Sequence, residues 1–233
     1  MTTKIPGEGI WLLAAAAPRE ASAVLDAFGI HARATELWKP VRLNDRFELV
    51  RTGVGKSNAA GAVARAIEPS KHTGVVSVGI AGVLPGGEHQ ILDTVCAARS
   101  VFSDEGVGTP GGFVHCADMG FAPFDNGTMG IDHDPRVVDW LASICDARAT
   151  IACVSWCSGD DGCARGVVTR TGATVEAMEG AAIAVSAQRT GVLSGELRVI
   201  SNTTGNRADQ RWDLDGAFDR LSKVLGRLAA GSA

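Results

Sequence analysis

Ile10-Trp11-Leu12-Leu13-Ala14-Ala15-Ala16-Ala17-Pro18-Arg19-Glu20 is the stretch that decides the fold. Its apolar run reads as a buried strand over 10–16, and the chain then passes directly into a helix near 19–28. The same succession continues to the end of the chain. Strands read at 47–52, 75–78, 91–101, 151–155, 174–177 and 197–201. Between them, Gly53-Val54-Gly55-Lys56-Ser57 turns into a helix running to about 67, and 158–170 is a loop entering a helix. Further helices read at 179–189 and 214–228. Asp134-Pro135 opens another to about 145, with Asp134 as N-cap and Pro135 at the first helical position. The Gly- and Pro-rich 104–112 reads as a loop. Apolar runs alternating with amphipathic segments are the pattern of an α/β fold. No linker, charge block or internal repeat divides the 233 residues, so one domain is expected over 1–233.

Hydrophobic residues make up 45% and charged residues 21%, an ordinary globular composition. The net charge of -4 and the lack of a long basic run argue against nucleic acid, whose phosphates are bound by an excess of Lys and Arg. The longest apolar run falls well short of the ~20 residues that span a bilayer and lacks the flank and cleavage site of a secretory signal. Cys96, Cys116, Cys145, Cys153, Cys157 and Cys163 are therefore expected to be reduced core thiols in a cytoplasmic protein. No Cys-x-x-Cys pair or neighbouring His completes a metal-ligand set, and no metal is expected. The five histidines form no pair at catalytic or metal spacing. Gly53-Val54-Gly55-Lys56-Ser57 lacks the earlier glycine of a phosphate-cradling loop, and no Gly-x-Gly-x-x-Gly opens a helix. ATP and NAD are thus unsupported, and no cofactor is expected.

The 29 glycines cluster at strand-to-helix junctions, among them Gly53/Gly55, Gly79/Gly82 and Gly86/Gly87. Open α/β sheets place ligands at the carboxyl ends of their strands, where small residues let the backbone approach. Any one of these glycines reads better as a tight turn; the set together points to a ligand site. Val175-Glu176-Ala177-Met178-Glu179-Gly180-Ala181-Ala182 is the most informative junction. Glu179 falls on the first turn of an otherwise small and apolar helix, where a carboxylate is stabilised. Taken alone, it would be a helix cap.

Met178-Glu179-Gly180-Ala181-Ala182 after a strand resembles the ribose-binding signature of the purine nucleoside phosphorylase and nucleosidase superfamily. Four more segments resemble that superfamily in the right order: Ala16-Ala17-Pro18-Arg19-Glu20, the stretch from Gly53 to Ala60, Val78-Gly79-Ile80-Ala81-Gly82, and Val199-Ile200-Ser201-Asn202. The likeness covers roughly residues 10 to 225. Within the superfamily the chain looks most like the futalosine hydrolases, nucleosidases of an alternative menaquinone pathway. That finer likeness rests on the stretch Ser103 to Phe113, the Glu-Ala-Met-Glu-Gly signature, and the stretch Ser201 to Arg207 followed by Trp212. The resemblance implies a three-layer α/β/α sandwich around a central mixed sheet.

It also implies a mechanism. Breaking a ribosidic bond develops positive charge on the sugar and negative charge on the departing purine, and needs a nucleophile. By resemblance, Glu179 holds the ribose hydroxyls, the backbone at Met178 and Gly82 lines the sugar, and Glu20 deprotonates the attacking water. Phosphorylases of the superfamily carry a phosphate-binding Arg where Glu20 falls, and a carboxylate there repels phosphate. Arg19 is one residue off and would point elsewhere. Asn202 stands where the methylthioadenosine nucleosidases carry Asp; its amide donates and accepts at once, which suits a 6-oxopurine such as hypoxanthine. Ala81, Ser201 and Trp156 would lie near the base. Phe113, Arg207 and Trp212 would meet the carboxylated aromatic tail of futalosine, although Arg207 is equally readable as a surface ion-pair partner and Trp212 as core. Methylthioadenosine/S-adenosylhomocysteine or aminodeoxyfutalosine nucleosidase remain alternatives, as does a nucleoside-binding sensor without turnover. The superfamily commonly assembles into dimers or rings whose partner subunits complete the pocket, so a homo-oligomer is expected.

Overall fold

The first strand sets the layers. Alternate side chains of a strand point to opposite faces. In β1 (Ile10–Ala15), Trp11, Leu13 and Ala15 enter one buried cluster and Leu12 and Ala14 another. Both faces are therefore covered, which explains a run apolar throughout rather than alternating. In the computed structural model, which describes residues 4–31 and 34–231, the following elements come after β1. They are α1 (Pro18–Ala27), β2 (Val41–Arg42), β3 (Phe47–Arg51), α2 (Lys56–Ala66), β4 (His72–Val83), β5 (Thr94–Phe102), β6 (Gly106–Thr109), β7 (Gly112–His115), and β8 (Gly130–Asp132). The chain continues as α3 (Pro135–Ala142), β9 (Ala147–Cys153), α4 (Asp161–Thr171), β10 (Val175–Ala177), α5 (Gly180–Thr190), β11 (Leu193–Thr203) and α6 (Leu214–Ala230).

The central sheet is mixed, in the order β10-β9-β5-β11-β4-β1-β3-β2, with β8 beside β5. β4 is parallel to β1 and β11, whereas β5 is antiparallel to β11. β10 pairs with β9 and also reaches back to β4, so half of the sheet curls closed. Helices α1, α3 and α6 pack on one face through Val24, Trp140 and Leu221; α2 and α5 cover the other through Val63 and Ile183. This is the α/β/α sandwich that the resemblance implies.

Asp134 caps α3 by accepting from Arg136 N at 2.9 Å, with Pro135 at the first helical position, as read from the sequence. Residues 104–112 are not a plain loop: β6 and β7 form a separate hairpin across them, pairing Val107 with Val114. The cysteines are all free, but only Cys96 and Cys153 are buried, and Cys157 is exposed rather than a core thiol. No group of three or more His, Cys, Asp or Glu side chains with metal-binding geometry occurs among the described residues, and no described helix is long and apolar enough to cross a membrane.

Candidate active site

The carboxyl ends of β1, β4, β10 and β11 open on one cavity of about 470 Å³. Ala16, Ala17 and Glu20 come from the β1–α1 junction, Ile80, Ala81 and Gly82 from the end of β4, Glu176 to Glu179 from the β10–α5 junction, and Ser201 and Asn202 from β11. Arg207, Gln210, Trp212 and Phe218, from the segment after β11 and the start of α6, also line it.

Glu20 is a buried side chain, not a solvated first-turn residue. Pro18 at the first helical position puts Glu20 at the third, from which its carboxylate folds back onto the chain entering α1. Oε2 accepts from Ala16 N at 3.0 Å and Ala17 N at 2.8 Å, and Oε1 accepts from Ile80 N at 3.0 Å. Burial pushes the carboxyl above the ordinary range, and the charge of Glu179 adds to this, while Arg198 and the backbone N–H groups work against it. Arg19 points away, bridging Asp215 and lying over the Phe218 ring.

Glu179 is the N-cap residue of α5, yet its side chain caps nothing. Oε1 instead accepts from Gly55 N at 3.1 Å, and Oε2 lies 3.4 Å from an Nη2 of Arg198. Gly55 adopts φ +92°, the left-handed region that favours glycine, and so delivers its N–H to the carboxylate.

Arg198, only 1% exposed, joins these carboxylates. Its Nε donates to Glu196 Oε1 at 3.0 Å and its Nη2 to Ser77 Oγ at 2.7 Å. Burial alone would favour the neutral form, but Glu196, Glu179 and Glu20 together hold the guanidinium firmly protonated. Arg198 pairs in register with Gly79 of β4. A Cβ on Gly79 would collide with Glu20 Oε1 and stand 2.6 Å from Arg198 Nη1, so the two charged groups converge over the bare glycine.

At the other end, Glu176, Gly82 and Asn202 form a row across three strands, Glu176 pairing with Gly82 and Gly82 with Asn202. Asn202 Oδ1 accepts from Ser201 Oγ at 2.8 Å and its Nδ2 donates to Thr203 O at 3.0 Å. Glu176 accepts from Ser158 N at 2.8 Å and Ser158 Oγ at 2.6 Å; burial raises its carboxyl and these bonds oppose the rise. After β11, the Arg207 guanidinium stacks 4.7 Å from the Trp212 ring centre, and both side chains donate to Gln210 Oε1.

Of the residues singled out in the sequence, Glu20, Glu179, Met178, Gly82, Ala81, Ser201, Asn202, Arg207 and Trp212 line this one cavity. Phe113 and Trp156 do not join it. Phe113 lies on the hairpin under the Arg170 guanidinium, and Trp156 is 66% exposed outside the lining. Sequence reasoning missed Arg198, Glu196, Ser77, Gln210 and Phe218, and gave Gly79 and Glu176 no individual part. The signal for Arg198 was available: two charges spaced two apart, Glu196 and Arg198, interrupt an apolar strand and face the same side of it.

The sequence profile of the Phosphorylase superfamily matches residues 43–231. The chain belongs to that superfamily. Within it, the chain falls among the futalosine hydrolases. It is 34% identical to the futalosine hydrolase of Streptomyces coelicolor, over 94% of each chain, and 34% identical to that of Acidothermus cellulolyticus, over 82% of this chain and 78% of that one. Among solved structures, a futalosine hydrolase mutant of Helicobacter pylori superposes with a TM-score of 0.76 at 18% identity, over 97% of this chain and 100% of that one. The Neisseria meningitidis 5'-methylthioadenosine/S-adenosylhomocysteine nucleosidase in complex with methylthio-immucillin-A gives the same TM-score, identity and coverage. These last two likenesses establish the fold.

Proposed function

We propose that this protein hydrolyses the N-ribosidic bond of futalosine, releasing hypoxanthine. The observation that carries the reading is the pairing of two buried carboxylates, Glu20 and Glu179, about one buried arginine in a cavity walled by small residues. Glu179 accepts from the ribose hydroxyls, and its charge stabilises the oxocarbenium-like sugar. Glu20, raised by burial, has the proton affinity to take a proton from water. Water rather than phosphate is the nucleophile because Arg198 is already committed to carboxylates and Arg19 lies on the surface.

The row Glu176–Gly82–Asn202 fits a 6-oxopurine laid across it. Paired strands lie ~4.8 Å apart, so the two outer residues stand about two strand spacings from one another with bare glycine between. The Asn202 amide donates to the 6-oxygen, which an adenine amino group would oppose. Glu176 has two of its ~four lone-pair positions taken by Ser158, and the remainder accept the ring N–H that hypoxanthine has and adenine lacks. The leaving-group proton comes from solvent or another residue, since the Asn202 amide cannot supply one. Arg207 takes part in no ion pair among the described residues and is free to meet the tail carboxylate, with Trp212 against the aromatic ring. The protein acts in the cytoplasm as a homo-oligomer, in menaquinone synthesis.

Incubation with futalosine, inosine and methylthioadenosine, each with and without phosphate, tests the reading by base analysis. Hypoxanthine from futalosine without phosphate is expected. Adenine from methylthioadenosine as the only product would overturn it, and binding of nucleoside with no base released would make the protein a sensor.

A further inference from the structure

Arg198 is gripped from behind by a chain of groups that never reaches the cavity. Ser194, Glu196 and Arg198 alternate along β11 and so share one face. Glu196 Oε1 accepts from Arg198 Nε, and Glu196 Oε2 accepts from Ser100 Oγ at 2.5 Å. Ser100 Oγ lies 2.9 Å from His133 Nε2, and His133 Nδ1 lies 3.0 Å from Ser194 Oγ. Every member is buried. One proton arrangement satisfies them all. The single hydroxyl hydrogen of Ser100 goes to Glu196, so Ser100 accepts from His133 Nε2–H, and His133 Nδ1 accepts from Ser194. Burial pushes the His133 imidazole down to about 4, against a hydrogen bond to Ser194 and the charge of Asp132, and so keeps it neutral.

Space for Glu196 is also built in. A Cβ at Gly180 would run into its carboxylate, so the glycine that follows Glu179 is demanded by Glu196 beneath it. Nothing in ribose or base binding needs such a chain, for neither Glu196 nor His133 lines the cavity.

We propose that Glu196, oriented by Ser100 and His133, is a positioning residue that sets the proton affinity of Glu20 through Arg198. Glu196 fixes the guanidinium in place and offsets part of its charge, leaving Glu20 a strong enough base to accept a proton from water. The inference rests on Glu20 being that base. The groups facing Glu20 are Arg198, Glu179 and the backbone N–H groups of Ala16, Ala17 and Ile80. Around Glu196 stand Arg198, Glu179, Ser100 and Cys153, whose thiol burial holds protonated. Lys56 is committed to Asp104 and Glu105, and Asp132 beside His133 is paired with Arg99.

Replacing Glu196 by Gln removes a negative charge, so Arg198 acts on Glu20 with less opposition and the proton affinity of Glu20 falls. In Glu196→Gln the acidic limb of kcat/KM should move down by about one pH unit. Its plateau kcat should drop on the order of tenfold, with KM within about threefold of wild type. His133→Ala should shift the limb the same way by less, and His133→Gln, which returns a donor to Ser100, should restore it. Carbon-13 NMR titration of labelled glutamates, with the Glu20 signal assigned through Glu20→Gln, reads the same quantity without turnover. If Glu196→Gln does not fold, Ser100→Ala is read in the same way. An unmoved Glu20 titration, or a raised KM with an unmoved pH limb, would overturn the proposal. If no nucleoside is cleaved but the Glu20 titration still answers to Glu196, the nucleosidase reading fails and the coupling stands.

Discussion

Gly79→Ala adds one methyl group where the structure has no room for it. Gly79 lies inside β4 and lacks a positive φ, so alanine introduces no backbone strain and the substitution tests space alone. The new Cβ would overlap Glu20 Oε1 and stand 2.8 Å from its carboxyl carbon and 2.6 Å from Arg198 Nη1. Neither side chain gives way easily. Glu20 is tied to three backbone N–H groups, and Arg198 to Glu196, Ser77 and Glu179. Overpacking of this kind costs about 1–3 kcal/mol. In a chain of this size that lowers Tm by roughly 2–4 °C per kcal/mol, so a fall of ~2–12 °C is expected. Displacing the base from its position should cost about a hundredfold or more in kcat. Gly82→Ala is the comparison: its Cβ would meet Thr204 Cγ2 at 2.8 Å and Asn202 Nδ2 at 3.0 Å, so it should raise KM and disturb base preference more than kcat. Steady-state base release and thermal melts on both variants decide the matter. Gly79→Ala with kcat within about threefold of wild type would refute the convergence of Glu20 and Arg198 as the catalytic arrangement.

Arg207→Ala should raise KM for futalosine about tenfold or more and leave inosine, which has no tail carboxylate, unchanged; steady-state kinetics on the pair tests it. Asn202→Asp should shift base preference towards adenine nucleosides, and an unchanged hypoxanthine-to-adenine ratio would count against the base assignment. Acid stability should carry the mark of His133. Its folded-state value of about 4 lies below the ordinary 6.5, so its contribution is present above pH 6.5 and is lost as pH falls towards 4. The loss amounts to roughly 3 kcal/mol, and His133→Gln should flatten that part of a Tm-versus-pH profile. Glu20 and Glu176, raised by burial, act in the opposite sense: their contribution is full below the ordinary glutamate range and is lost as pH rises through their folded-state values.

What was legible in the sequence is what hydrophobic patterning and local chemistry encode. β1 and α1 stand within a residue of their expected ends because an unbroken apolar run meets a proline. Glu20, Glu179 and Asn202 were found because they sit at strand ends, where short segments keep a recognisable order. The longest strands were under-read for one physical reason. β4 extends over His72–Val83 and β11 over Leu193–Thr203, but glycines 74, 79 and 82 interrupt the first, and Ser194, Gly195 and Glu196 break the apolar run at the start of the second. Ser194 and Glu196 are buried because His133, Ser100 and Arg198 satisfy them, a long-range property that no local pattern shows. The hairpin of β6 and β7 reads as a loop in the sequence because glycines at 106, 108 and 112 carry no alternation. Phe113 and Trp156 read near the site on family likeness alone, and neither is among the residues lining the cavity.

The most direct test of the central claim is cleavage of futalosine in heavy-oxygen water, with and without phosphate, followed by mass analysis of the sugar product. If Glu20 activates water against a sugar held by Glu179, the product gains one heavy oxygen, hypoxanthine appears at the same rate with or without phosphate, and Glu20→Gln slows both by about 10²–10⁴-fold. An unlabelled sugar phosphate, formed only when phosphate is present, would contradict it.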